Sequence, residues 1–171
     1  MPTLQRQIQS NEPYSGKSDA PFKIVMYGDY QDETCKKVFK KIDALLQADP
    51  EKIFFVWRHF PLNKIHQRAQ KAAELAIAAH QKGMFWEVHR LLIEEGSALN
   101  LTDLIRFAKE LGFYDPQLYN ALMNNTYAWD VRESITDGVN SGVKQLPAIF
   151  LNGSLISQGE DITELENKIK K

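Results

Sequence analysis

The chain has 171 residues, 43% of them hydrophobic, enough for one domain with a substantial apolar core, and this excludes disorder as the default reading. Its formal net charge is −1, so nothing in the charge balance draws it to nucleic acid. It contains one cysteine, Cys35, so no intramolecular disulfide can form and the fold must rest on its core.

Residues 1–20 are polar, with turn chemistry at Pro13 and Gly16, and read as an extended arm. They hold no apolar leader segment, which gives the expectation of a cytoplasmic chain, or a periplasmic one if a leader has been removed. No apolar run approaches the roughly 20 residues that span a bilayer. Phe22-Lys23-Ile24-Val25-Met26-Tyr27 is a compact apolar run closed by Gly28-Asp29, and reads as a buried strand. Cys35, Val38, Phe39, Ile42, Leu45 and Leu46 then recur at spacings of three and four. They predict an amphipathic helix with Asp32 as N-cap and an end near Asp49-Pro50. Lys36, Lys37, Lys40 and Lys41 fall mostly off the stripe, as a solvated face. Ile53 to Phe60 is β-prone and Pro61 stops it. Strand, helix, strand is a right-handed βαβ unit.

The middle is helical. An alanine-rich helix is predicted over about 64–82, broken by Gly83. A second runs from Phe85 through Ile93 to Gly96. A third is capped by Thr102 and stopped by Gly112. A fourth starts at Pro116, and a fifth covers about 127–141. The end returns to β: Pro147 to Leu151 is a strand, Asn152-Gly153 a hairpin turn, and Leu155-Ile156 the return strand. A last helix starts at Asp161 or Thr163. The order βαβ, helical block, ββα predicts an α/β fold with a mixed four-stranded sheet, helices on both faces and an all-helical insertion. The expected organisation is an arm (1–20), a sheet domain (21–62 and 143–171) and a helical insertion (63–142).

Four strings carry a resemblance. Gly28-Asp29-Tyr30-Gln31-Asp32-Glu33-Thr34-Cys35 is similar to the active-site approach of DsbA-like thioredoxin-fold proteins, in which an aspartate and an aromatic lead into Cys-Pro-X-Cys. Arg58-His59-Phe60-Pro61-Leu62, Gly83-Met84-Phe85-Trp86-Glu87-Val88-His89 and Gly142 to Gly153 follow in the family's order, the last resembling its cis-proline loop. The resemblance covers about residues 20–170. It implies a thioredoxin fold, a cis Pro147, and an extended peptide or protein bound beside Leu146 and Pro147, with Tyr30 also at the substrate surface. It also implies a thiol–disulfide oxidoreductase ancestry, with a departure: Asp32 stands where the family has its first cysteine, and only the second remains, as Cys35.

A Cys-X-X-Cys centre needs both sulfurs, one to attack a disulfide and one to resolve the mixed disulfide. Asp32 keeps an anion at the helix N-terminus and has no sulfur to exchange. Two functions follow. The first is a redox-degenerate protein that binds peptide or protein partners through the Asp32 and Pro147 surface. The second is a single-thiol oxidoreductase or thiol transferase using Cys35, with glutathione as a candidate partner. Carboxylate catalysis by Asp32 and Glu33 has no specific support, because adjacent acids at a helix start ordinarily favour the helix dipole. His59, His66, His80 and His89 show no metal-ligand spacing, so no metal and no cofactor is expected, and they read as structural residues with Phe85 and Trp86.

Overall fold

The computed structural model describes residues 1–95 and 99–171. It contains the strands β1 (Tyr14–Gly16), β2 (Phe22–Gly28), β3 (Ile53–His59), β4 (Ala148–Leu151) and β5 (Ser154–Gln158). Its helices are α1 (Glu33–Ala48), α2 (Ala69–Gln81), α3 (Phe85–Glu94), α4 (Leu101–Glu110), α5 (Pro116–Met123), α6 (Ala128–Asn140) and α7 (Thr163–Lys170). The expected end of α3 at Gly96 lies outside the described residues.

The apolar runs of β2 and β3 pair in parallel, Ile24 with Phe55 and Met26 with Trp57, and α1 is the crossover between them. β4 lies antiparallel on the other side of β2, and the β4–β5 hairpin turns at Asn152-Gly153, both of which adopt positive φ. The sheet has five strands in the order β1-β3-β2-β4-β5, one more than predicted. The extra strand comes from the arm: Tyr14, Ser15 and Gly16 pair antiparallel with Val56, Phe55 and Phe54. A glycine is required there, because Gly16 has φ of 91° and a Cβ would sit 2.0 Å from the Ile53 carbonyl oxygen.

Strand alternation sends side chains to two faces. Phe55 and Trp57 meet Phe39 of α1 and, respectively, Trp86 and His89 of α3 on one face. Tyr27 and Arg58 meet Asp137 of α6 on the other. Helices therefore cover both faces, and one apolar core runs from the sheet through the helical segment, including Leu75, Leu92, Phe107 and Leu122.

Three local expectations change. α2 begins at Ala69 rather than near residue 64, because the chain from Leu62 to His66 turns back on itself, with Ile65 and His66 N–H both bonded to the Leu62 carbonyl. α4 is capped by Asn100, whose side chain accepts the Asp103 N–H at 2.9 Å, and Thr102 lies inside the helix. Lys36 is buried rather than solvated, with Nζ 3.3 Å from Glu33. Among the described residues no helix is long and apolar enough to cross a membrane.

Candidate functional site

The site is built where β2 and β3 end side by side. Gly28, paired with His59, closes β2 and must be glycine, since a Cβ would lie 2.2 Å from the Trp57 ring. The chain then passes through Asp29, Tyr30 and Gln31 into α1. Asp32 caps that helix: its backbone is extended and its Oδ1 accepts the Cys35 N–H at 2.8 Å. The carboxylate satisfies one of the helix's free N–H groups and sits at the positive end of its dipole.

Cys35 lies one turn inside the helix and is wholly buried. Burial pushes its thiol far above the ordinary range, and the negative charges of Asp32 and Asp29 push the same way. A thiol held in this form is a poor nucleophile.

Tyr30 departs from the expectation that it lines the substrate surface. Its side chain is buried, stacked on Trp57 at 5.2 Å, with its hydroxyl 2.7 Å from His89 Nδ1. The aromatic core under the helix claims the ring. His59 and His89 belong to that core. Burial lowers the His59 pKa to about 3, and burial first, with His59 and the Arg90 guanidinium close by, lowers that of His89.

Opposite Asp32 stands the loop before β4. Its Leu146–Pro147 peptide bond is cis. Gln158 of β5 braces the loop, its Oε1 accepting the Lys144 and Gln145 N–H groups at 2.7 and 2.9 Å. Between loop and helix lies a cleft of about 390 Å³, lined by Asp32, Thr34, Phe60, Leu62, Lys144 and Leu146 among others. Asp32 and Leu146, 114 positions apart in sequence, thus face one space. Phe60 and Leu62 supply its apolar wall. No described residue bonds to the Leu146 N–H or C=O, which leaves a backbone donor and acceptor beside the cleft.

Asp29, part of the string that carries the resemblance, has partners that string does not foretell. It is buried, yet its carboxylate takes three donors: Gln31 N–H at 2.6 Å, Leu62 N–H at 2.8 Å and His66 Nδ1 at 2.8 Å. An aspartate just after a strand reads as turn chemistry, and nothing in the local string announces partners more than 30 positions away. The predicted helix over about 64–82 places His66 in its first turn, as a structural residue, whereas α2 starts only at Ala69 and His66 belongs to the turn before it. Among the described residues no group of three or more His, Cys, Asp or Glu side chains is arranged to hold a metal.

Comparison with known proteins agrees with this fold. The family model described as Thioredoxin matches residues 9–171. Among curated relatives, the Na(+)/H(+) antiporter NhaA 3 of Salinispora tropica is 33% identical over 138 residues, covering 81% of this chain and 21% of that protein. The antiporter NhaA 1 of Salinispora arenicola is 35% identical over 138 residues, with the same coverage of 81% and 21%. The chain thus spans about a fifth of the length of these relatives. Among solved structures, a thioredoxin-like oxidoreductase from Silicibacter pomeroyi has a TM-score of 0.80 at 22% identity, over 95% of this chain and 92% of that one. Oxidised BdbD from Bacillus subtilis has a TM-score of 0.82 at 23% identity, over 99% and 94%. With the family match running over nearly all of the strands and helices described above, the chain belongs to the thioredoxin family and has the DsbA-like fold, carrying a single cysteine.

Proposed function

We propose that this protein binds an extended peptide or protein segment in the cleft between Asp32 and Leu146, without dithiol–disulfide exchange. The observation that carries this reading is the separation of chemistry from surface. The lone thiol is sealed in the core, while the cleft beside the helix start remains open and apolar-walled. Net dithiol exchange needs two sulfurs, and Asp32, the residue at the helix N-terminus, is a carboxylate committed to capping. The free backbone donor and acceptor of Leu146 suit main-chain pairing with an extended segment, and Phe60 and Leu62 suit its apolar side chains.

The test uses carboxymethylated, unfolded ribonuclease A, whose blocked sulfurs exclude disulfide chemistry. Saturable binding that weakens in Leu62→Asp, with no insulin-disulfide reduction by the native chain, is the expected result. Absence of binding to this probe overturns the reading. The competing function, thiol transfer through Cys35 with glutathione, requires formation of a mixed disulfide by the folded protein. Mass spectrometry after incubation with oxidised glutathione reads that directly, and the buried, undissociated thiol predicts no adduct.

A further inference from the structure

Two loops flank the cleft, and they come from different strands. Residues 29–32 leave β2 and carry Asp32; residues 60–68 leave β3 and carry Phe60 and Leu62. At their foot the Phe60 N–H donates to the Gly28 carbonyl of β2 at 2.8 Å, and among the described residues no backbone pairing links the two loops beyond it. Beyond it, side chains make the connection. Asp29 Oδ2 accepts the Leu62 N–H and the His66 Nδ1–H, both at 2.8 Å, while its Oδ1 accepts the Gln31 N–H and shapes the approach to Asp32. Gln31 Oε1 in turn accepts the Arg68 N–H at 2.7 Å. The turn that presents Leu62 is closed by His66 from the other side, through its N–H to the Leu62 carbonyl at 2.8 Å. His66 therefore holds Leu62 twice, once by its own backbone and once through Asp29.

We infer that Asp29 and His66 are positioning residues for the cleft: their hydrogen bond fixes the Leu62 wall against the Asp32 wall at the separation a bound segment requires. This inference rests on the binding function proposed above and adds the residues that set its geometry. A buried carboxylate is costly unless its oxygens are occupied, and every partner of Asp29 Oδ2 comes from the second loop, the Leu62 N–H and the His66 imidazole. The segment from Asn63 to Ile65 is exposed, Ile65 at 69%, and its own bonds run to the Leu62 carbonyl and, through Asn63 Nδ2 at 3.2 Å, to Gln70 of α2 rather than to the Asp32 loop. Loss of the imidazole removes one donor from Asp29 and frees that segment to move with Leu62. A glutamine at position 66 can restore an N–H donor of similar reach.

The experiment compares the native chain with His66→Ala and His66→Gln in two readouts. The first, amide hydrogen exchange, needs no ligand: Leu62 N–H is expected to exchange at least tenfold faster in His66→Ala and to regain protection in His66→Gln, while β2 and β4 amides stay unchanged. The second is affinity for carboxymethylated ribonuclease A, expected to fall by about tenfold in His66→Ala and to recover in His66→Gln, in line with one charge-assisted hydrogen bond. Unchanged Leu62 exchange in His66→Ala overturns the inference whatever the affinities. Faster exchange with unchanged affinity shows a bond that shapes the loop and not the cleft, and overturns it equally. Should the native chain fail to bind while the exchange result holds, it is the binding function that falls. A general loss of protection in His66→Ala would move the comparison to His66→Gln and Asp29→Asn, whose Leu62 exchange must then differ for the inference to stand.

Discussion

Asp32 and Cys35 share one hydrogen bond and divide between them what a two-sulfur centre would combine. The aspartate keeps the helix start satisfied; the cysteine is left as a buried thiol against Val38 and Phe39 on the same stripe. Removing the cap by Asp32→Ala is expected to destabilise the fold by about 1 kcal/mol, read by urea denaturation. Native Cys35 is expected to resist a thiol reagent until the protein is unfolded, and then to react at once; rapid native labelling would mean that the thiol is reachable. Asp32→Cys places a second thiol at the helix N-terminus, where the dipole favours its thiolate. That variant is expected to gain insulin-disulfide reduction that the native chain lacks, and a folded but inactive variant would show that the surroundings of the centre have lost more than one sulfur.

Among the elements, the arm is held more firmly than its composition suggests. Arg58 of β3 is buried and donates to the arm at four points: the Glu12 carboxylate through Nε at 2.8 Å and Nη2 at 3.1 Å, and the carbonyls of Arg6 and Gln7 at 3.0 and 3.3 Å. It also meets Asp137 of α6 at 3.0 Å, which in turn accepts from the Tyr27 hydroxyl and from the Arg6 N–H at 3.1 Å. One guanidinium thus ties arm, sheet and α6 together. Glu12 raises the Arg58 pKa against the opposing effect of burial, so the charge is kept. Asp137→Ala leaves that charge partly unpaired in the interior and is expected to cost about 3 kcal/mol, more than a helix cap, with faster proteolysis of the arm as the local readout. The same element-level view explains where sequence patterning stopped. The stripe of α1 and the runs of β2 and β3 were legible because each has enough residues to declare a period. The three-residue β1 has too few. The start of α2 was misplaced because the Leu62–His66 turn is imposed by Asp29 from another loop, and local propensity favoured continuing the helix.

For the molecule as a whole, the buried histidines set the acid limb of stability. His59 and His89 are neutral in the fold, with His59 lowered to about 3 and His89 lowered well below its ordinary range by burial. In the unfolded chain each takes up a proton below about pH 6.5. The unfolded state then binds more protons than the folded one, so stability falls as pH drops from about 6.5 toward 3 and is fully present above that window. For His59 this amounts to up to about 2 kcal/mol between pH 6.5 and 5, at about 1.4 kcal/mol per unit, and His89 adds in the same direction. Urea denaturation at pH 7 and pH 5 checks this, and the double variant Tyr30→Phe/His89→Phe, which removes one imidazole together with its partner, is expected to weaken the dependence. An unchanged slope would assign the acid limb to carboxylates.

The fold class, the order of the elements, the cap at Asp32 and the absence of a second cysteine are all legible along the chain, because periodicity, turn chemistry and cysteine number are properties read locally. That Tyr30 is core, that Asp29 reaches Leu62 and His66, and that the arm becomes a fifth strand emerge only on folding. Those outcomes depend on which distant groups share a space once the chain is folded, and a buried polar group takes its partners from whatever the packing brings within hydrogen-bond reach.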